Sequence, residues 1–134
     1  MTVSKAVIPC GGFGTRFLPA TKVLPKELLP IVDKPTLWYV VEEAAKAGIT
    51  DVLIIIAEGK EAVQRFFEPN DKLNARLLDR GADELYSLAN HDFGVNVTFK
   101  VQMSQKGSGD AVYLAKDFAG GEPIAVLFGD DIVY

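Results

Sequence analysis

The chain is short of the residues that most metal and redox chemistry needs. It holds one cysteine, Cys10, and one histidine, His91, among 134 residues. An internal disulfide is excluded, as are multi-cysteine and two-histidine metal sites. No apolar run reaches the ~20 residues of a membrane span. Residues 1–8 carry a lysine and no long apolar stretch, so they do not read as a secretory leader. The expectation from these absences is a reducing, cytoplasmic setting with no membrane partner.

What is present suits one soluble domain: 49% of residues are apolar and 24% charged. A chain of this length buries about two thirds of its surface without staples. Its 14 basic and 18 acidic residues leave a net charge of −4, which argues against a general nucleic-acid binder. The charge is unevenly spread. Residues 1–26 contain Lys5, Arg16, Lys22 and Lys26 and no acid. A basic, glycine-rich head on an acidic body reads as a local anion site; four solvated surface cations would read the same way, and spacing has to decide.

Apolar runs at 5–9, 52–57 and 124–128 read as strands, the middle one apolar throughout as if covered on both faces. Residues 95–101 alternate, with Val95, Val97, Phe99 and Val101 against Asn96, Thr98 and Lys100, as a strand with one exposed face would. Helical stripes fall at 35–47 (Leu37, Val40, Val41, Ala44), 61–67, 71–90 with a break at Gly81, and 111–118. Trp38, Tyr39, Phe66 and Phe67 read as packing and core residues, Cys10 as a packed small side chain, and His91 as solvated. Strand–loop–helix repetition implies a mainly parallel sheet with helices on both faces. Ligands of such sheets sit at the carboxyl ends of the strands. Three segments fall there: 10–26, 102–110 and 129–131.

The first reads CGGFGTRFLPATKVLPK. Gly11, Gly12 and Gly14 let backbone approach a ligand, and successive N–H groups can cradle an anion. Thr15 adds a hydroxyl, and Arg16 a forked guanidinium suited to phosphate oxygens. Lys26, after the rigid Pro25, supplies a second cation. Neither common nucleotide loop is present: Phe17 stands where the dinucleotide pattern needs its third glycine, and no G-x-x-x-x-G-K-[ST] run occurs.

The run GGFGTRF, followed by PATKVLPKELLPIVDKP and YVVEEAAKAGI, resembles the signature of the sugar-1-phosphate nucleotidylyltransferases. Within that family it is most similar to uridylyltransferases that join UTP and glucose 1-phosphate. The similarity spans essentially the whole chain, densest over 5–57 and returning at 124–132. It implies a Rossmann-like three-layer αβα nucleotidyltransferase fold, of which this is the N-terminal half. Residues 1–134 would be the nucleotide-binding part of one domain that continues beyond 134, inactive alone and homo-oligomeric when complete.

The resemblance also implies roles. Backbone at Cys10 and Gly11 would lie along base and ribose. Gly12, Gly14, Thr15 and Arg16 would hold the β- and γ-phosphates, and Lys26 would bridge the α-phosphate and the sugar phosphate. Gln102 and Gly107 would meet the uracil edge, and Asp130, the first acid of FGDDI, would carry Mg²⁺ with Asp131 behind it. Gln105 and Asp110 depart from the family's Pro and His. Gln102 also reads as a polar strand end, and Gly-Asp-Asp as a β-turn. A sister enzyme using dTTP or another sugar phosphate, and a non-enzymatic nucleotide-binding paralogue, stand as alternatives.

Overall fold

The computed structural model describes residues 2–12, 14–103 and 113–128. Strand β1 (Lys5–Cys10) leads into three short 3-10 turns at Thr15–Phe17, Ala20–Lys22 and Lys26–Leu28. A two-residue hairpin follows, β2 (Pro30–Ile31) and β3 (Lys34–Pro35), then helix α1 (Thr36–Lys46) and strand β4 (Asp51–Ala57). Next come α2 (Glu61–Phe66), α3 (Asp71–Asp79), α4 (Asp83–Ala89), β5 (Asn96–Gln102), α5 (Lys116–Ala119) and β6 (Ile124–Val126).

Among the described residues, four strands form one sheet in the order β5-β4-β1-β6, every pair parallel. The strand pleat sends alternate side chains to opposite faces. Ala6, Ile8 and Cys10 of β1, with Val52, Ile54 and Ile56 of β4, face Leu37, Val40, Val41 and Ala44 of α1 and Val63 of α2. Val7, Leu53 and Ile55 face the other way, onto Ala115, with Leu114, Phe118 and Ile124 packed around them. Helical segments therefore cover both faces, and the three-layer αβα expectation holds. The continuous apolar run of β4 is explained: Val52 to Ala57 are all buried.

The α1 stripe closes as its sequence indicates, with Pro35 at the N-cap and Gly48 just beyond the end at φ 92°. The helical stretch expected at 71–90 breaks at Gly81 as expected, into two helices where Gly81 takes φ 65°. They are tied by a reciprocal amide pair between Asn74 and Asn90, at 3.1 and 2.8 Å. The helix expected at 111–118 is interrupted among the described residues: Tyr113 is helical, Leu114 and Ala115 form a turn, and α5 begins at Lys116. The strand expected to reach Phe128 stops at Val126. The hairpin β2–β3 had no counterpart in the sequence pattern, because two-residue strands carry no periodicity.

The aromatics are less buried than expected. Trp38 is buried, but Phe66 and Phe67 are half-buried. They line a groove of about 230 Å³ with Trp38, His91 and Phe93. His91 is exposed yet stacked on Trp38, ring centroids 4.4 Å apart. Among the described residues no helix is long and apolar enough to cross a membrane.

Candidate functional site

The parallel register brings the ends of three strands into line. Cys10 pairs with Ile56, Ile56 with Val101, and Ala57 with Gln102. Two of the segments marked in the sequence thus start from one carboxyl edge. At β6 the Leu127 N–H donates to the Val7 carbonyl at 2.9 Å, so the chain leaves that strand toward the same edge. Asp130 and Asp131 lie outside the described residues, as does Gly107. An acid pair is a hard-oxygen donor set of the kind Mg²⁺ takes. No cluster of three or more His, Cys, Asp or Glu able to hold a metal occurs among the described residues.

The loop after β1 is shaped around a lysine. A Cβ on Gly12 would meet the Lys26 Nζ at 3.2 Å. A Cβ on Gly14 would come within 2.9 Å of the Thr21 methyl and 3.1 Å of the Lys26 Cβ, and Gly14 has φ 66°. Left-handed backbone and lack of space both require glycine there. The Thr21 hydroxyl donates to the Gly14 carbonyl at 2.7 Å, closing the loop onto the segment that returns toward Lys26. Pro25 is buried at the head of the Lys26–Leu28 turn, where Leu28 N–H donates to its carbonyl at 3.0 Å.

The other sequence candidates fall in distinct environments. Cys10 is fully buried against α1, as a packed side chain. Gly11 is half-buried, while Thr15 and Arg16 are exposed on the first 3-10 turn. Gln102 is buried at the end of β5, beside exposed Val101, so the alternation of that strand reverses at its last residues. Of the four cations in the basic head, Lys5 belongs elsewhere. Its Nζ donates to the carbonyls of Phe118 (3.0 Å) and Ala119 (3.5 Å) and pairs with Glu122 at 2.8 Å, at the amino end of β1. Charge clustering in sequence overstated the cluster in space.

Two residues escaped the sequence reading. Glu27 is buried although it follows Lys26 directly, and Lys60, in the turn after β4, reaches it at 3.8 Å. Lys60 also donates to the Gly12 carbonyl. The run AEGKE looks like a solvated turn, and nothing local marks its lysine as long-range. The neighbouring Glu61 carboxyl is held below its ordinary range by its own N–H and that of Gly59, with Arg65 adding to the effect.

A family model described as nucleotidyl transferase matches residues 5–134. The UTP–glucose-1-phosphate uridylyltransferase of Staphylococcus haemolyticus is 47% identical over 132 residues, covering 98% of this chain and 46% of the relative. A solved structure described as a UTP-bound UGPase from Acinetobacter baumannii superposes with a TM-score of 0.92 at 36% identity, over 96% of this chain and 46% of its own. A UDP-glucose pyrophosphorylase complexed with UDP-glucose gives 0.78 at 33% identity, with the same two coverages. The chain therefore spans about half the length of the relatives it matches.

Proposed function

The chain belongs to the nucleotidyl transferase family, and on that premise we propose that it is the nucleotide-binding part of a cytoplasmic UTP–glucose-1-phosphate uridylyltransferase, within a domain that continues beyond 134. The complete protein joins UTP and glucose 1-phosphate into UDP-glucose and releases pyrophosphate. The observation that carries this reading is the tight fit of the glycine loop around Lys26, at the carboxyl edge of a parallel sheet. A structural turn needs no cation inside it; a loop that handles phosphate does.

The reaction needs no protein nucleophile. An oxygen of the sugar phosphate attacks the α-phosphorus in line, a new P–O bond forms, and the bond to the bridging oxygen of the β-phosphate breaks. The protein's work is to place the two phosphates and offset their charge. Backbone of Cys10 and Gly11 runs beside base and ribose. Gly12, Gly14, Thr15 and Arg16 hold the β- and γ-phosphates. Lys26 spans the α-phosphate and the incoming phosphate, where charge reorganises. Gln102 offers a donor and an acceptor to the uracil edge, with backbone at Gly107 beside it. Asp130 would hold Mg²⁺, which supplies further neutralisation of the triphosphate when bound.

The test is pyrophosphate release from UTP and glucose 1-phosphate with Mg²⁺, with dTTP as competitor, on the complete protein and on the 134-residue chain. Turnover by the complete protein and none by the chain is expected, because fixing the second substrate is worth ~7–11 kcal/mol of the barrier. UTP should still raise the melting temperature of the chain. An inactive complete protein overturns the activity, and robust turnover by the chain overturns the half-site reading.

A further inference from the structure

Lys60 lies outside every motif that the family resemblance draws on, yet it joins three segments of the site. Its Nζ donates to the Gly12 carbonyl and stands 3.8 Å from the Glu27 Oε1, the two side chains being 15% and 1% exposed. Gly12 belongs to the loop after β1; Glu27 lies in the Lys26–Leu28 turn, next to Lys26; Lys60 itself comes from the turn after β4. A lysine ammonium has three donors and no acceptor, so it can serve a carbonyl and a carboxylate together.

We propose that Lys60 is a positioning residue for the transfer reaction: by holding the Gly12 carbonyl and the Glu27 carboxylate at once, it sets the spacing between the glycine loop and the turn that carries Lys26. The inference rests on the proposed function, which makes that loop and Lys26 the phosphate-handling elements. Three physical points support it. A carboxylate as buried as Glu27 is strongly destabilising without a nearby cation, so the pair holds Lys60 in place. Two ammonium groups, of Lys26 and Lys60, flank the same glycine. Their mutual repulsion is offset in part by the Glu27 carboxylate that stands beside Lys60. The contact to Gly12 is to a main-chain oxygen, so it acts on loop geometry and survives any change of loop side chain.

In the complete protein, Lys60→Met should lower kcat about 30-fold while the KM for UTP changes less than about threefold, because misplacement is felt most in the transition state. Lys60→Arg should recover only part of the loss, since a planar fork does not reproduce a point donor. Glu27→Gln combined with Lys60→Met removes the buried charge together with its partner, so it tests the strut even where the single variant folds poorly. Its kcat should match that of Lys60→Met and not the product of two separate losses. A readout independent of catalysis is amide hydrogen exchange in the 134-residue chain. Exchange at residues 10–16 should quicken at least about tenfold in the double variant, with the amides of α1 unchanged. Unaltered exchange at 10–16, or kcat within twofold of the parent, overturns the proposal. A rise in KM alone also overturns it, because that marks Lys60 as a direct phosphate contact. If the parent fails to turn over UTP, the assigned activity falls, and the exchange result still decides whether Lys60 holds the loop.

Discussion

Two lysines lie at opposite ends of β1, Lys5 at its start and Lys26 beside the loop that follows its end. The first is saturated by structure: two carbonyls at the end of α5 and the Glu122 carboxylate surround its ammonium. The second is set against glycine backbone, in space that any side chain at position 12 would invade. The same residue type thus does two jobs, and its surroundings separate them. A cation ringed by acceptors closes a fold. A cation lodged in a glycine loop lies at the carboxyl edge of a parallel sheet, where ligands of such sheets bind, and phosphate handling is the role proposed for it.

The sharpest way to break this comparison is to truncate each lysine. Lys26→Ala in the complete protein should lower kcat by about 100- to 1000-fold, about 3–4 kcal/mol of transition-state stabilisation. The melting temperature should barely change. A higher KM with kcat intact would reduce Lys26 to a plain binding cation.

Glycine chemistry gives the next largest effect. Gly14 and Gly81 have nearly equal backbone angles, φ 66° and 65°, but a Cβ meets Thr21 at 2.9 Å at the first and open space at the second. Gly14→Ala should destabilise the chain by about 3 kcal/mol, left-handed strain plus overpacking. Gly81→Ala should cost about 1 kcal/mol, the strain alone. Urea unfolding of both variants checks this; equal losses would show that the loop yields to the added methyl.

Arg16→Ala should weaken UTP binding by about 2–3 kcal/mol through loss of charge-assisted contacts, with Arg16→Lys a partial rescue. Titration calorimetry of the complete protein measures it, and normal affinity would remove Arg16 from the phosphate site. Lys5→Met should cost about 1 kcal/mol of stability and leave turnover alone, which denaturant curves and the pyrophosphate assay read together.

The smallest effect concerns pH. The folded Glu61 carboxyl titrates below its unfolded value, so its stabilising contribution is complete above the ordinary carboxylate range and is lost as pH falls through the folded value. The melting temperature of Glu61→Gln should therefore lie below that of the parent at neutral pH and converge on it in acid. A constant gap would assign the effect to something other than charge.

Much of this architecture was legible from residue pattern. The β4 run is apolar at nearly every position because both of its faces are covered, and the α1 stripe names the residues that meet it. The glycine loop was legible because closely spaced glycines, the rigid Pro25 and two cations serve no single structural need. The strut was not. Lys60 is 48 residues from Gly12 in sequence and meets it only because β4 lies beside β1. Glu27 carries a charge that pattern reading assigns to solvent, and only the fold buries it. Lys5 was miscounted for the converse reason: proximity in sequence placed it with Arg16 and Lys26, while a six-residue strand carries it to the far side of the sheet.

Cys10, the sole thiol, has no solvent-exposed surface and sits where β1 gives way to the glycine loop. An alkylating reagent reaches a sulfur so enclosed only when that end of the strand lifts from α1. Under native conditions the rate of its modification is therefore a clock for how often the loop's foundation comes apart. The 134-residue chain carries a single such clock, so no engineered probe is required in it. A nucleotide that grips the loop should slow the clock in proportion to its occupancy, and a nucleotide that binds elsewhere should leave it running at its own pace.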